Sequence, residues 1–323
     1  MSSTTSLGDR ADGPFFIVFN IGSGHGDPQA ARRIIDEAMS AAQRRYELLS
    51  VDDPSQLPEL AREAVEKARQ QNGIVVAAGG DGTINCVAGA VLDSERPFGV
   101  LPQGTFNYFG RAHSISQEIA ESVQTLLSGH VEPVQVGLMN DRLFLVNASV
   151  GLYPRLLEDR EKFKRRYGRH RIVALWSAAH TLLRSRRYWL LRLEDERGRE
   201  ATLQTPTLFV GNNALQLQQV GLPEAEAVED GHLAGVALKP VSRWAMAGLL
   251  FSGALGRLGR AESVINFAFR ELQVQPVVQG RRHHRELKVA MDGEVFRLAP
   301  PLRFRVAPKQ LRLITPIDRP EPA

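Results

Sequence analysis

The sequence predicts an α/β chain in two domains: a doubly wound, mostly parallel sheet first, then a mainly antiparallel β-sandwich. Two observations carry that prediction. Up to about residue 134, short apolar runs rich in β-branched and aromatic residues alternate with amphipathic stretches of helical period. Beyond it, short strand-like segments follow one another, many separated by turn-forming residues. A third observation points towards function: the glycine-rich stretches of the first half follow predicted strands.

The leader 1–13, MSSTTSLGDRADG, has no apolar core, so it reads as disordered rather than as a signal peptide. The first domain is expected over 14–134. FFIVFN (15–20) is a strand, PQAARRIIDEAMSAAQRR (28–45) a helix, YELLSV (46–51) a strand and LPELAREAVEKARQQ (57–71) a helix. GIVVAA (73–78) is the third strand, TINCVAGAVL (83–92) a short helix, PFGVLP (97–102) the fourth strand and SQEIAESVQTLLSG (116–129) another helix. The second domain is expected over 135–318. Its strands are RLFLVNASVGL, YWLLRLED, TLFVGN, AGVALK, VINFAF, ELQVQ, ELKVAMDG and RFRVAP, with turns at Asp195 to Gly198, Asp230-Gly231 and Asp292-Gly293. Helical regions interrupt at about 155–184 and 241–258.

The stretch VVAAGGDGTINCV (75–87) ends a buried strand on a bare, acidic turn. In a doubly wound sheet the loops after parallel strands lie on one edge, where ligands bind. Gly79, Gly80 and Gly82 permit backbone angles closed to other residues and let N–H groups face an anion. A helix expected to begin near Thr83 adds its positive dipole end. Asp81 either caps that helix or helps hold Mg²⁺ beside phosphates. A plain strand-to-helix turn would look the same in isolation. A second glycine loop, PQGTFN, is predicted on the same edge and favours the phosphate reading.

Other chemistries do not fit the motifs. The chain has no G-x-x-x-x-G-K-[ST] and no G-x-S-x-G, and GSGHGD is not a dinucleotide fingerprint. His283 and His284 are adjacent in GRRHHRE, so on a strand they face opposite ways and read as a solvated basic turn.

FNIGSG, GGDGTIN and above all LPQGTFNYFGR resemble the diacylglycerol kinase catalytic domain shared by sphingosine kinases and bacterial lipid kinases. FLVNASVGL, EDGHLAGV and MDGEVF extend the resemblance over nearly the whole chain. It implies a first domain of the phosphofructokinase and NAD kinase type, and ATP-dependent phosphorylation of a lipid hydroxyl with ATP in a cleft between the domains. It further implies that Asn20 and Ser50 contact the nucleotide, although the family usually has Thr where Ser50 stands. Gly79, Gly80, Asp81, Gly82, Thr83 and Asn85 would wrap the phosphates, joined by Gly104 and Thr105. Asp81, Asp292 and Glu294 would serve at the reacting end. Glu294 is the expected proton acceptor, on the same face as Asp292 if that segment is extended. Asp230 matches a Mg²⁺ position completed by carbonyls around Ala227 and His232. Two positions depart from the pattern: Cys86 stands where the family often has Glu, and Tyr108 where it often has Asp. The alternatives are a NAD kinase-like enzyme, opposed by LPQGTFN and the late DGE, and a nucleotide-binding regulator without catalysis, supported only by Cys86 and Tyr108.

The formal charge of +4 and the pI near 9.4 are mildly basic and suit an anionic partner without requiring one. No nucleic-acid recognition motif is present. A single cysteine excludes an intramolecular disulfide. WAMAGLLFSGALG (244–256) is shorter than the roughly 18 residues that span a bilayer, so the expected location is cytoplasmic. RLLEDREKFKRRYGRHR (155–171) is strongly basic and precedes an apolar stretch. It could rest on anionic headgroups at the inner membrane face, with Trp176 and Trp189 near the interface, or be a solvated helix face. The sequence leaves the acceptor lipid unnamed and a homodimer open.

Overall fold

The computed structural model describes residues 12–23, 27–151, 188–242, 261–277 and 286–317. The basic segment 155–171, Trp176, the His283-His284 pair and nearly all of both predicted helical regions lie outside these residues. The chain divides into two compact units. One runs to Val136 and resumes at Pro308, and the other spans Gly137–Ala307.

The first unit holds β1 (Phe15–Asn20), β2 (Tyr46–Val51), β3 (Ile74–Gly79), β4 (Phe98–Pro102) and β5 (His130–Val134). Its helices are α1 (Pro28–Ala41), α2 (Leu57–Gln70), α3 (Asp81–Val91), α4 (Tyr108–Ala112) and α5 (Ile119–Ser128). β1 to β4 pair in parallel in the order β2-β1-β3-β4. β3, IVVAAG, is buried at every position, as a central parallel strand covered on both faces must be. α1 packs beside α5, and α2 beside α3. α1 starts where Asp27 accepts the Gln29 N–H at 2.9 Å, with Pro28 in the first turn. Ile35 and Met39, one turn apart, then bury its apolar side against the sheet. Full burial of each such side chain contributes about 1.5–3 kcal/mol.

The second unit holds β6 (Gly137–Met139), β7 (Arg142–Phe144), β8 (Asn147–Gly151), β9 (Trp189–Asp195), β10 (Glu200–Thr205) and β11 (Thr207–Gly211). Two short helices follow, α6 (Ala214–Gln219) and α7 (Ala225–Glu229). Then come β12 (Leu233–Leu238), β13 (Val264–Phe269), β14 (Glu271–Pro276), β15 (Leu287–Met291), β16 (Glu294–Leu298) and β17 (Leu302–Val306). They form two antiparallel sheets, β10-β9-β14-β17-β6-β7 and β13-β12-β11-β8-β15-β16. Leu193 and Phe304 from one sheet share a core with Val150, Leu208 and Val289 from the other, which makes the predicted sandwich. α6 and α7 cover part of the outer face through Leu217 and Val228 against Ala234 and Val236.

Two expectations need correction. RLFLVNASVGL is not one strand: it breaks after Phe144, and β7 and β8 join different sheets. The residues after 308 do not stay with the second domain. β18 (Leu311–Thr315) lies in the first sheet, parallel to β4 and antiparallel to β5, with Leu311, Leu313 and Ile314 buried. The apolar residues of a strand state that it is buried, not which sheet receives it.

Candidate functional site

Three loops meet at the C-terminal edge of the parallel strands. Asn20, the last residue of β1, donates from Nδ2 to Thr83 Oγ1 at 2.8 Å, while its Oδ1 accepts the Gly22 N–H at 3.1 Å. The Gln103 N–H donates to the Gly79 carbonyl at 2.8 Å, tying the loop after β4 to the end of β3. Ser23 Oγ reaches Gln103 Oε1 at 3.5 Å. Asn20, Gly79 to Thr83, Gly104 and Thr105 are thus one contiguous cluster. Ser50 sits one strand over, opposite Phe19, and Asn85 lies on α3.

Gly79 and Gly104 are required for space rather than for unusual backbone angles. Gly79, Gly80, Gly82 and Gly104 are all absent from the residues of positive φ, and Gly80 is extended at φ −83°. A Cβ on Gly79 would stand 2.6 Å from Thr83 Oγ1, because the helix starts back against its own strand. A Cβ on Gly104 would stand 2.9 Å from the Gly80 Cα and 2.6 Å from Asn107 Oδ1. The two glycine loops therefore pack on each other.

Asp81 is not the helix cap. α3 begins at Asp81 itself, with Gly80 as N-cap and no side-chain cap bond. The Asp81 carboxylate instead crosses to the neighbouring loop, where Oδ2 accepts the Asn107 N–H at 3.0 Å. Burial pushes its pKa up, opposed by the backbone N–H groups of Asn107, Tyr108 and Asp81 itself. Its Oδ1 is buried with no hydrogen-bond partner. An orphaned buried carboxylate oxygen suits a hard cation, and Mg²⁺ commonly takes one or two carboxylates together with phosphate oxygens. Asp81 fits that group.

Thr105 is exposed, as is Phe106 at 47%. Phe106 stacks parallel on Tyr108 at 6.0 Å, and the Arg111 guanidinium lies 5.9 Å from the Tyr108 ring. An aromatic stack therefore stands where the family often carries an acid. Cys86 is half-buried on α3.

Asp292 and Glu294 belong to the second unit, in the hairpin between β15 and β16. The segment is not extended: Asp292 (φ 45°) and Gly293 (φ 88°) are both left-handed, as in a two-residue primed turn. The Asp292 carboxylate turns back onto β8 and the residues before it. It accepts the N–H of Leu145 at 2.6 Å and those of Val146 and Asn147 at 2.9 Å each. Glu294 pairs with Met291 in the ladder and is exposed. The two carboxylates therefore have different surroundings.

Asp230 is exposed at the end of α7. The His232 N–H donates to the Ala227 carbonyl at 3.0 Å and the Gly231 N–H to Val228 at 3.2 Å, with Gly231 at φ 81°. That is a Schellman helix end, not a hairpin turn. Among the described residues no three His, Cys, Asp or Glu side chains gather to hold a metal.

The sequence reading overlooked Asn107, Gln103 and Gln117. Asn107 is 2% exposed and left-handed at φ 44°, and it bonds to Gly104, Asp81 and Gln117 at once. The available signal was its residue type, since Asn is among the few residues that enter the left-handed region readily.

Residues 14–139 match the family model of the diacylglycerol kinase catalytic domain. The resemblance to that family stands. The diacylglycerol kinase of Staphylococcus epidermidis RP62A is 30% identical over 137 residues, 42% of this chain and 42% of that protein. The diacylglycerol kinase of Staphylococcus aureus RF122 is 33% identical over 137 residues, with the same 42% shares. The matched stretch thus spans less than half the length of these kinases. An uncharacterized protein of Synechocystis is 24% identical over 318 residues, 94% of this chain and 70% of that protein. A crystal structure of a diacylglycerol kinase from Bacillus anthracis superposes with a TM-score of 0.68 at 17% identity, covering 95% of this chain and 98% of that one. At that identity the likeness speaks for the fold.

Proposed function

We propose that this chain is an ATP- and Mg²⁺-dependent lipid kinase that transfers the γ-phosphate to a lipid hydroxyl. The observation that carries the reading is the pair of glycine loops packed Gly80 on Gly104, with the orphaned Asp81 Oδ1 beside them. The Staphylococcus relatives named diacylglycerol kinases support a lipid acceptor.

Phosphoryl transfer asks a protein for positioning and charge neutralisation more than for covalent chemistry. The first N–H groups of α3 supply a positive helix end for phosphate oxygens. Thr105 offers an exposed hydroxyl from the facing loop. Asn20, bonded to Thr83, holds the end of β1 against the start of α3. Asp81 would hold Mg²⁺, which when bound neutralises phosphate charge. Glu294, an exposed carboxylate, would take the proton of the acceptor hydroxyl, while Asp292 fixes the hairpin that carries it. The acceptor would be met at an anionic membrane surface through the basic segment 155–171. Among the described residues no helix is long and apolar enough to cross a membrane.

The test is transfer of labelled γ-phosphate from Mg-ATP to a lipid panel in mixed micelles, with NAD as a rival acceptor. A labelled lipid that disappears with Glu294→Gln supports the proposal. Labelled NAD reassigns the chain to NAD phosphorylation, and ATP binding without any transfer favours a regulator.

A further inference from the structure

The structure assigns Asn107 a positioning role: its side chain closes the loop after β4 into a ring, and the backbone N–H that this ring holds in place sets the direction of Asp81, so that Thr105 and Asp81 Oδ1 are both held ready for nucleotide phosphates. This inference rests on the kinase reading above. Asn107 Oδ1 accepts the Gly104 N–H at 2.9 Å and Nδ2 donates to the Gly104 carbonyl at 2.8 Å. Nδ2 also donates to Gln117 Oε1 at 2.5 Å, which braces the ring against the segment leading into α5. The Asn107 N–H goes to Asp81 Oδ2 at 3.0 Å, and its carbonyl accepts the Arg111 N–H at 3.0 Å, opening α4. One buried residue thus ties the turn after β3, the loop after β4 and the starts of two helices.

The consequence for ligand binding is specific. Both backbone polar groups of Gly104 are spent on Asn107, so the N–H of Gly104 is not the phosphate donor. Between the two ends of the ring, Thr105 and Phe106 are exposed and can meet a ligand. With Oδ2 of Asp81 held by the ring, its second oxygen is left without a partner. Preorganised groups of this kind hold their geometry before the ligand arrives and need no reordering on binding.

Three variants test the role by Mg-ATP titration calorimetry on the full chain, with melting temperature measured alongside. Asn107→Gly removes the clamp but tolerates the left-handed backbone, and is expected to weaken Mg-ATP binding about tenfold or more, as losing its three side-chain hydrogen bonds would. Asn107→Asp keeps the shape and the Oδ acceptor but loses both Nδ2 donations, and a loss of similar size is expected in a folded protein. Thr105→Ala is expected to weaken binding in the wild type and to have no further effect beside Asn107→Gly or Asn107→Asp, because an unclamped Thr105 is already misplaced. Wild-type affinity in folded Asn107→Gly would show that only the backbone conformation matters and would overturn the inference, as would strictly additive losses. A wild-type chain that binds no Mg-ATP would overturn the kinase reading as well, and is told apart because no variant is needed to see it.

Discussion

Asp81 carries a buried carboxylate whose pKa is raised mainly by loss of water, and that has a consequence for stability. A group with a raised folded pKa stabilises the protein fully below its unfolded value, and that contribution is lost as pH rises through the folded value. Ionising Asp81 therefore costs the ligand-free protein stability. Asp81→Asn keeps an oxygen for the Asn107 N–H without the charge. Its melting temperature relative to wild type is expected to climb as pH rises above the ordinary carboxylate value of about 4, while phosphate transfer is lost. Parallel melting curves across that range would refute the argument. Gly104 supports a second expectation at this scale. Gly104→Ala would place a Cβ 2.6 Å from Asn107 Oδ1 and 2.9 Å from the Gly80 Cα, both inside contact distance. Urea unfolding should show a loss of about 1–3 kcal/mol, the usual cost of overpacking, and the same variant should bind Mg-ATP poorly. The glycines were visible in the sequence as necessary, but their cause was not. Sequence shows that a Cβ is absent, not whether a ligand or a neighbouring loop takes the space.

At the scale of elements, the hairpin between β15 and β16 carries two carboxylates in different surroundings, and the proposed function gives them separable roles. Asp292 accepts three backbone N–H groups from Leu145, Val146 and Asn147. In Asp292→Asn an amide N–H would face one of those donors, so a loss of about 1.5–3 kcal/mol is expected, as for a hydrogen bond to a charged group. Glu294→Gln at an exposed position should leave unfolding free energy within about 0.5 kcal/mol and still abolish phosphate transfer. Equal destabilisation by both would refute the division of roles. The hairpin was legible because Asp-Gly between two apolar runs signals a primed turn. The same dipeptide at Asp230-Gly231 signals a helix end instead, since what it reports is a left-handed glycine and not the elements on either side. Likewise α3 starts two residues earlier than the apolar period suggested, because Asp81 and Gly82 belong to its first turn without burying an apolar side chain.

For the whole molecule, the alternation of β1 through β4 with helices was legible because β1, β3 and β4 are near-continuous buried apolar runs, while β2, YELLSV, lies at the sheet edge and is only partly buried. The destination of β18 was not, since a short strand buried at Leu311, Leu313, Ile314 and Thr315 could be covered in either domain. That destination has a physical consequence. β18 fills the place between β4 and β5, and Ile314 joins the core that contains Phe15, Ile17 and Val76. A chain ending at Ala307 would leave the facing edges of β4 and β5 unpaired and that core incomplete, an arrangement prone to aggregation. Residues 12–136 expressed alone should therefore be insoluble or molten. The same residues joined through a flexible Gly/Ser linker to 308–317 should fold cooperatively, since β18 would supply its ladder from either connection. Soluble yield and a single cooperative urea transition distinguish the two. A folded 12–136 fragment would mean that β18 contributes little, and the first domain would then end where the sequence alone had placed it.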